Sequence, residues 1–160
     1  IELQIEGAFE RMRAVLVNKC PPVLEGADLG MAIQDLCTRW EINAGSGWTV
    51  NLSLEPAALN SLDQDRALCV YRTVEECLAN VRRHAAPGAP VNVGLALQAG
   101  VLELCVENCL PQPVETQVPS GGMGLNLLAE RVRVHGGVFK AQVEENRFVV
   151  SARFQQKGTS

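Results

Sequence analysis

The chain has no excess of positive charge. Its 14 Lys and Arg face 18 Asp and Glu, for a net charge of −4. Neutralising a phosphate backbone needs a basic footprint, so nucleic-acid binding is excluded as the main role. The six cysteines, at 20, 37, 69, 77, 105 and 109, form no CxxC pair, and no Cys/His set has zinc spacing. They read as small buried hydrophobes in a reducing cytoplasm. No apolar run approaches the ~18 residues of a membrane span, and no signal peptide is visible, which leaves a membrane segment elsewhere in a parent protein open. Histidine is scarce: His84 and His135 are the only two. There are no internal repeats. The chain starts at Ile1 inside an already periodic segment and reads as a piece of a longer protein.

What is present suits one domain with a short appendage. The 160 residues are 47% hydrophobic, and a chain near this size buries roughly 70% of its unfolded surface. "IELQIEGAFERMRAVL" spaces Ile1, Ile5, Phe9, Met12 and Leu16 as a narrow helical seam. Pro21 and Pro22 end it. "ADLGMAIQDLCTRWEINAG" predicts a helix with Asp28 as N-cap and Gly45 near the stop. "GWTVNLSLEP" alternates Trp48, Val50, Leu52 and Leu54 as a strand. A short loop leads to a long helix from Asp63 to Ala86. Gln98, Ala99 and Gly100 mark a hairpin between two alternating strands. "CLPQPVETQVPSGG" reads as a loop, and "MGLNLLAERVRVH" as a helix stopped by Gly136 and Gly137. The last hairpin alternates Phe148, Val150, Ala152 and Phe154 with Arg147, Val149, Ser151 and Arg153. From residue 48 the order is strand, helix, hairpin, helix, hairpin. Five strands and two or three helices imply a two-layer α/β sandwich with one sheet face covered by helices.

The long helix carries two faces. At ~100° per residue, Val74, Cys77, Leu78, Val81 and Ala85 span an arc of about 100°. Glu76, Asn80, Arg83 and His84 span a similar arc roughly 130° away, beside the core seam. Such a set has a bland explanation, a solvated face with ordinary charges. It also has a chemical one. Oxygens from Glu76 and Asn80 can share a hydrated Mg²⁺ held mostly by phosphates, and Arg83 and His84 can meet phosphate oxygens.

"EECLANVRRHA" resembles the N box of the ATP-binding domain of two-component sensor histidine kinases, E-A-L-x-N-x-x-(K/R)-H-A, through Glu76, Cys77, Leu78, Asn80, Arg83, His84 and Ala85. "GGMGLNLLAERVRVHGG" resembles the family's glycine-rich G2 segment and following helix, in the nitrate-sensor and hexose-phosphate-sensor subfamily. "PPVLEGADLGMAIQDL" resembles the entry into that subfamily's catalytic domain. The ordered similarity runs from about Met12 to Phe154. It implies a Bergerat ATP-binding fold of the GHKL type, with a mixed five-stranded sheet, helices on one face and a preceding N-terminal helix. It also implies a division into the end of a dimerisation helix (1–19), a linker (20–27), the catalytic domain (28–155) and a tail (156–160).

By the same resemblance Glu76 is catalytic, polarising the chemistry at the γ-phosphate, and Asn80 ligates Mg²⁺. Arg83 and His84 meet the phosphates, as do Gly122, Gly124 and Leu125 at the G2 helix. Missing side chains at the two glycines admit backbone N–H groups to phosphate. The substrate is ATP and the cofactor Mg²⁺. The implied partners are a histidine-bearing dimerisation domain of the same protein, as a homodimer, and a response regulator. The implied setting is the cytoplasmic part of an inner-membrane-associated parent.

The sequence departs from the family at the G1 box, D-x-G-x-G, where it reads "VENCLPQP". Alternation puts Leu102, Leu104, Val106 and Asn108 on one face, so Asn108 takes the position of the adenine-binding Asp. A one-residue shift would nominate Glu107 instead, on the opposite face. Leu110 and Gln112 replace the glycines, with Pro111 between them, and the Gly-Thr before the family's final strand is missing. The phosphate side is kept and the adenine side eroded. Neither His84, part of the N box, nor His135, at a helix end where an imidazolium favours the dipole, is a phosphoacceptor. Two other functions compete: a degenerate kinase-fold signalling module without useful ATP affinity, and a serine kinase of the same fold acting as an anti-sigma factor.

Overall fold

The computed structural model describes residues 28–45, 47–86, 88–111 and 122–156. The expected dimerisation helix, the linker and most of the tail lie outside these residues. So do most of the loop before the G2 helix and Gln112.

The layer of helices forms where the sequence supplies caps. Helix α1 (Leu29–Ala44) starts at Asp28, whose carboxylate accepts from the Gly30 N–H at 3.0 Å, and ends at Gly45 with φ 93°. Helix α3 (Gln64–His84) starts at Asp63, whose carboxylate accepts from the Arg66 N–H at 2.8 Å. Its last turn holds Arg82, Arg83 and His84, which complement the helix dipole. Between β1 (Val50–Leu54) and α3 lies a short helix, α2 (Pro56–Asn60), where the sequence predicts only a loop. Pro56, pre-set at the first helical position, starts it. Trp48 falls outside β1 and packs edge-on against Trp40, ring centroids 5.7 Å apart.

Strands β2 (Val91–Gln98) and β3 (Val101–Cys109) form the first hairpin, closed by Ala99 and Gly100, both at positive φ. That is the two-residue turn whose twist matches the strands. Helix α4 (Gly122–Val134) then leads through Gly136, φ 81°, to the hairpin of β4 (Gly137–Glu144) and β5 (Arg147–Gln155). The sheet order is β1-β2-β3-β5-β4, with β1 and β2 parallel and the other pairs antiparallel. The parallel pair requires the crossover that α2 and α3 provide.

One sheet face builds the core. Val91, Val93, Leu95, Leu102, Leu104, Val106, Val150 and Phe154 are buried there with Val70, Val74, Leu78 and Val81 of α3. Leu125, Leu128 and Val132 of α4 join them, as do Ile33, Cys37 and Trp40 of α1. On the other face charges pair across strands, Glu107 with Arg147 at 3.1 Å and Glu103 with Arg153. This is the mixed, one-side-covered sandwich the sequence predicts. The cysteines are more varied than expected. Cys37, Cys69 and Cys77 are buried, but Cys105 and Cys109 are half-buried at the sheet.

Candidate functional site: the polar edge of the long helix and the start of the next

The core fixes the rotation of α3, and the rotation places its polar edge. Val74, Cys77, Leu78 and Val81 are all buried, so Glu76 and Asn80 must lie at the rim of the helix–sheet contact. Trp40 of α1 strengthens this by donating its indole N–H to the Leu78 carbonyl at 2.9 Å. That cross-helix bond, not legible from local pattern, pins α3 within the turn that carries both residues.

Asn80 is only 7% exposed. Arg83 donates from Nη2 to the Asn80 Oδ1 at 3.1 Å, and the same nitrogen lies 3.8 Å from the Glu76 Oε1. Its Nε donates to the Ala79 carbonyl at 3.4 Å. The guanidinium is half exposed, so this pairing contributes little to stability; what it does is tie the side-chain oxygens of Asn80 and Glu76 to one rim of the helix. Helix α4 closes the cluster. A Cβ built on Gly124 would stand 2.2 Å from the Glu76 Oε1 and 2.5 Å from its Cδ. Glu76 therefore lies against the first turn of α4, where N–H groups lack i−4 acceptors and the dipole is positive.

The other expected site residues distribute unevenly. Gly122 opens α4. Leu125 has its side chain in the core, 7% exposed, where it seats α4 on the sheet. His84 is exposed on the last turn of α3. Asn108 is 7% exposed on the helix-facing side of β3. Glu107 faces the opposite side, bonded to Asn92 and Arg147. Asn108 donates from Nδ2 to the Cys109 carbonyl at 3.3 Å. The Ala86 N–H donates to that same carbonyl at 3.1 Å, tying the end of α3 to the end of β3.

Two features lie beside this cluster. An open groove of about 640 Å³ runs between α1 and α3 over Leu36, Trp40 and Leu78, with Arg39 and Arg82 on its walls. It shares Arg83 with the cluster but neither Glu76 nor Asn80, so it is not where those oxygens converge. The buried thiols are chemically quiet. Burial first, then Glu41, pushes Cys37 up to about 12; burial likewise raises Cys69 to about 11, and Cys77 further still. No helix among the described residues is long and apolar enough to cross a membrane.

No family model matches the chain, and no curated protein matches it in sequence. Solved structures do match in shape. The Acinetobacter baumannii histidine kinase AdeS superposes with a TM-score of 0.67 at 12% identity, covering 97% of this chain and 81% of that one. The histidine kinase domain of the blue-light activated histidine kinase from Erythrobacter litoralis EL346 gives 0.64 at 16% identity, over 81% of this chain and 66% of that one. The mycobacterial sensor histidine kinase MprB gives 0.56 at 16%, over 83% and 99%. The fold is that of histidine kinase catalytic domains. At such identities the likeness concerns the fold, and the chemistry must be argued from the residues.

Proposed function

We propose that this chain is the ATP-binding catalytic domain of a sensor histidine kinase, of the nitrate-sensor and hexose-phosphate-sensor type. It acts in two-component signal transduction, within a homodimeric parent that also carries the histidine and passes the phosphoryl group to a response regulator. The observation that carries this reading is the convergence of Glu76, Asn80 and Arg83 on one rim of α3, with Glu76 against Gly124 of α4.

The donor set suits Mg²⁺ delivered with a triphosphate. Among the described residues no group of three or more His, Cys, Asp or Glu can hold a metal, whereas a neutral amide oxygen and a nearby carboxylate suit a cation that keeps water and phosphate ligands. Asn80 would supply its Oδ1. Bound Mg²⁺ neutralises charge on the β- and γ-phosphates. Arg83, released from Asn80, would meet a phosphate oxygen, as would His84 from the last turn. The amides at Gly122 and Gly124 would face the phosphates from the start of α4. In the transfer, the bond from the γ-phosphorus to its bridging oxygen breaks with the electron pair leaving on ADP. A bond from the phosphorus to the unprotonated acceptor imidazole nitrogen forms, the other ring nitrogen gives up its proton to water, and Glu76 would polarise the reacting groups. Positioning and charge stabilisation supply most of the acceleration.

Titration with Mg–ATP in a calorimeter tests this reading; micromolar to sub-millimolar binding that requires Mg²⁺ is the expected result. A second reading, a kinase-fold module without useful ATP affinity, is favoured by the neutral Asn108 and by Leu110 and Pro111 after it. Absence of heat at millimolar nucleotide selects it, and Asn108→Asp with Leu110→Gly and Gln112→Gly should then create binding.

A further inference from the structure

The glycine at 124 has a second role besides any access it gives to phosphate. We infer that Gly124 is a positioning residue for Glu76: its missing Cβ is the space in which the Glu76 carboxylate sits. This rests on the kinase reading for its catalytic consequence, but its structural basis is independent of nucleotide.

The argument compares two glycines. A Cβ on Gly137 would stand 2.7 Å from the Phe154 ring and 2.7 Å from the Val132 methyl. Both neighbours are buried in the core, so Gly137 serves packing and a side chain there would strain the fold. The three nearest atoms a Cβ on Gly124 would meet all belong to one side chain: Glu76 Oε1 at 2.2 Å, Cδ at 2.5 Å and Cγ at 3.2 Å. The neighbour here is a side chain that can change rotamer. Adding a methyl at Gly124 therefore evicts the carboxylate while leaving the core alone. The evicted group also leaves the reach of Arg83, now 3.8 Å away. Glu76 is thus held between a cation on its own helix and the bare Cα of another, which ties the start of α4 to the acid on α3. Any motion of α4 along the sheet would carry the position of that acid with it.

A cycle of Gly124→Ala, Glu76→Ala and the double variant tests this in the intact parent kinase, by phosphoryl transfer at saturating Mg–ATP and by thermal melting. Displacement of a reacting group by about 1 Å costs on the order of 100-fold in rate. Gly124→Ala should lower kcat by at least that factor and melt close to the parent, whereas Gly137→Ala should melt well below it. In the Glu76→Ala background, adding Gly124→Ala should lower kcat no further, because the group it displaces is gone. Parental turnover in Gly124→Ala, or losses that multiply in the double variant, overturns the inference. Should the parent bind no Mg–ATP, the kinase reading fails, and a separate measurement still decides this one. In protein labelled with ¹³C at glutamate carboxyls, Gly124→Ala must shift the Glu76 resonance without nucleotide, and an unmoved resonance refutes the placement.

Discussion

The rim of α3 and the end of β3 are built from similar residues and differ in how they are held. Asn80 and Asn108 are both asparagines, both 7% exposed, both beside the same helix–sheet core. Asn80 is engaged by Arg83 from its own helix and stands one turn from Glu76, which α4 braces through Gly124. Among the described residues the Asn108 side chain bonds to the carbonyl of its own neighbour, Cys109, and the chain beyond it enters Leu110 and Pro111. One region is over-determined by two helices and the sheet. The other is a strand end whose polar group answers to local backbone. A polar group braced by two helices is positioned by packing, while one at a strand end depends on the residues that follow it.

The strongest way to break the contrast is to loosen the helix that carries the first region. Leu78 is 1% exposed beneath the turn holding Glu76 and Asn80. Leu78→Ala should destabilise the domain by about 2–5 kcal/mol, read as a lowered urea midpoint, with nucleotide binding lost in proportion. Asn80→Ala is more selective. It removes the hydrogen-bonded oxygen proposed to ligate Mg²⁺ and should weaken Mg–ATP binding roughly 10- to 100-fold.

A change of pH acts on the core that both regions share. Burial raises the Cys37, Cys69 and Cys77 thiols above their ordinary value of 9.0. Above pH 9 the unfolded chain releases these protons and the folded chain keeps them, so stability falls as pH rises from 9 toward 11. Cys77 alone should give a slope of about 1.4 kcal/mol per pH unit. Urea midpoints at pH 8 and pH 10 measure the combined fall, and Cys77→Ala should make it shallower while Cys37 and Cys69 still contribute.

Asn108→Asp sharpens the contrast from the other end. A charged acceptor should tighten ATP binding about fivefold, on the order of 1 kcal/mol, and the fold should lose a similar amount as the donation to the Cys109 carbonyl disappears. The smallest effect belongs to the residue next door. Glu107→Gln touches only the open sheet face, so it should cost less than about 1 kcal/mol of stability and leave ATP affinity unchanged. A large effect there would mean that the wrong side of β3 had been assigned to the ligand.

The elements were legible where local chemistry decides them. Asp28 and Asp63 cap the helices that the pattern places after them. The short helix at Pro56 escaped because five residues show no periodicity to read. Trp48 fits the alternation of β1 yet leaves it, since the ring's contact with Trp40 lies outside the pattern of the strand. Leu125, assigned to the nucleotide with its glycine neighbours, sends its side chain into the core.

By itself the sequence determined which faces exist. A 3.6-residue period separates Glu76, Asn80 and Arg83 from the core seam, and a two-residue period sends Asn108 inward and Glu107 outward. Only the tertiary structure decided which faces meet: that Trp40 bonds the Leu78 carbonyl, that Glu76 rests on Gly124, and that Ala86 joins the end of β3. Periodicity is set by the backbone within a few residues of itself. Those contacts join segments far apart in the chain, and they exist only once the sheet has given the helices a common surface to pack on.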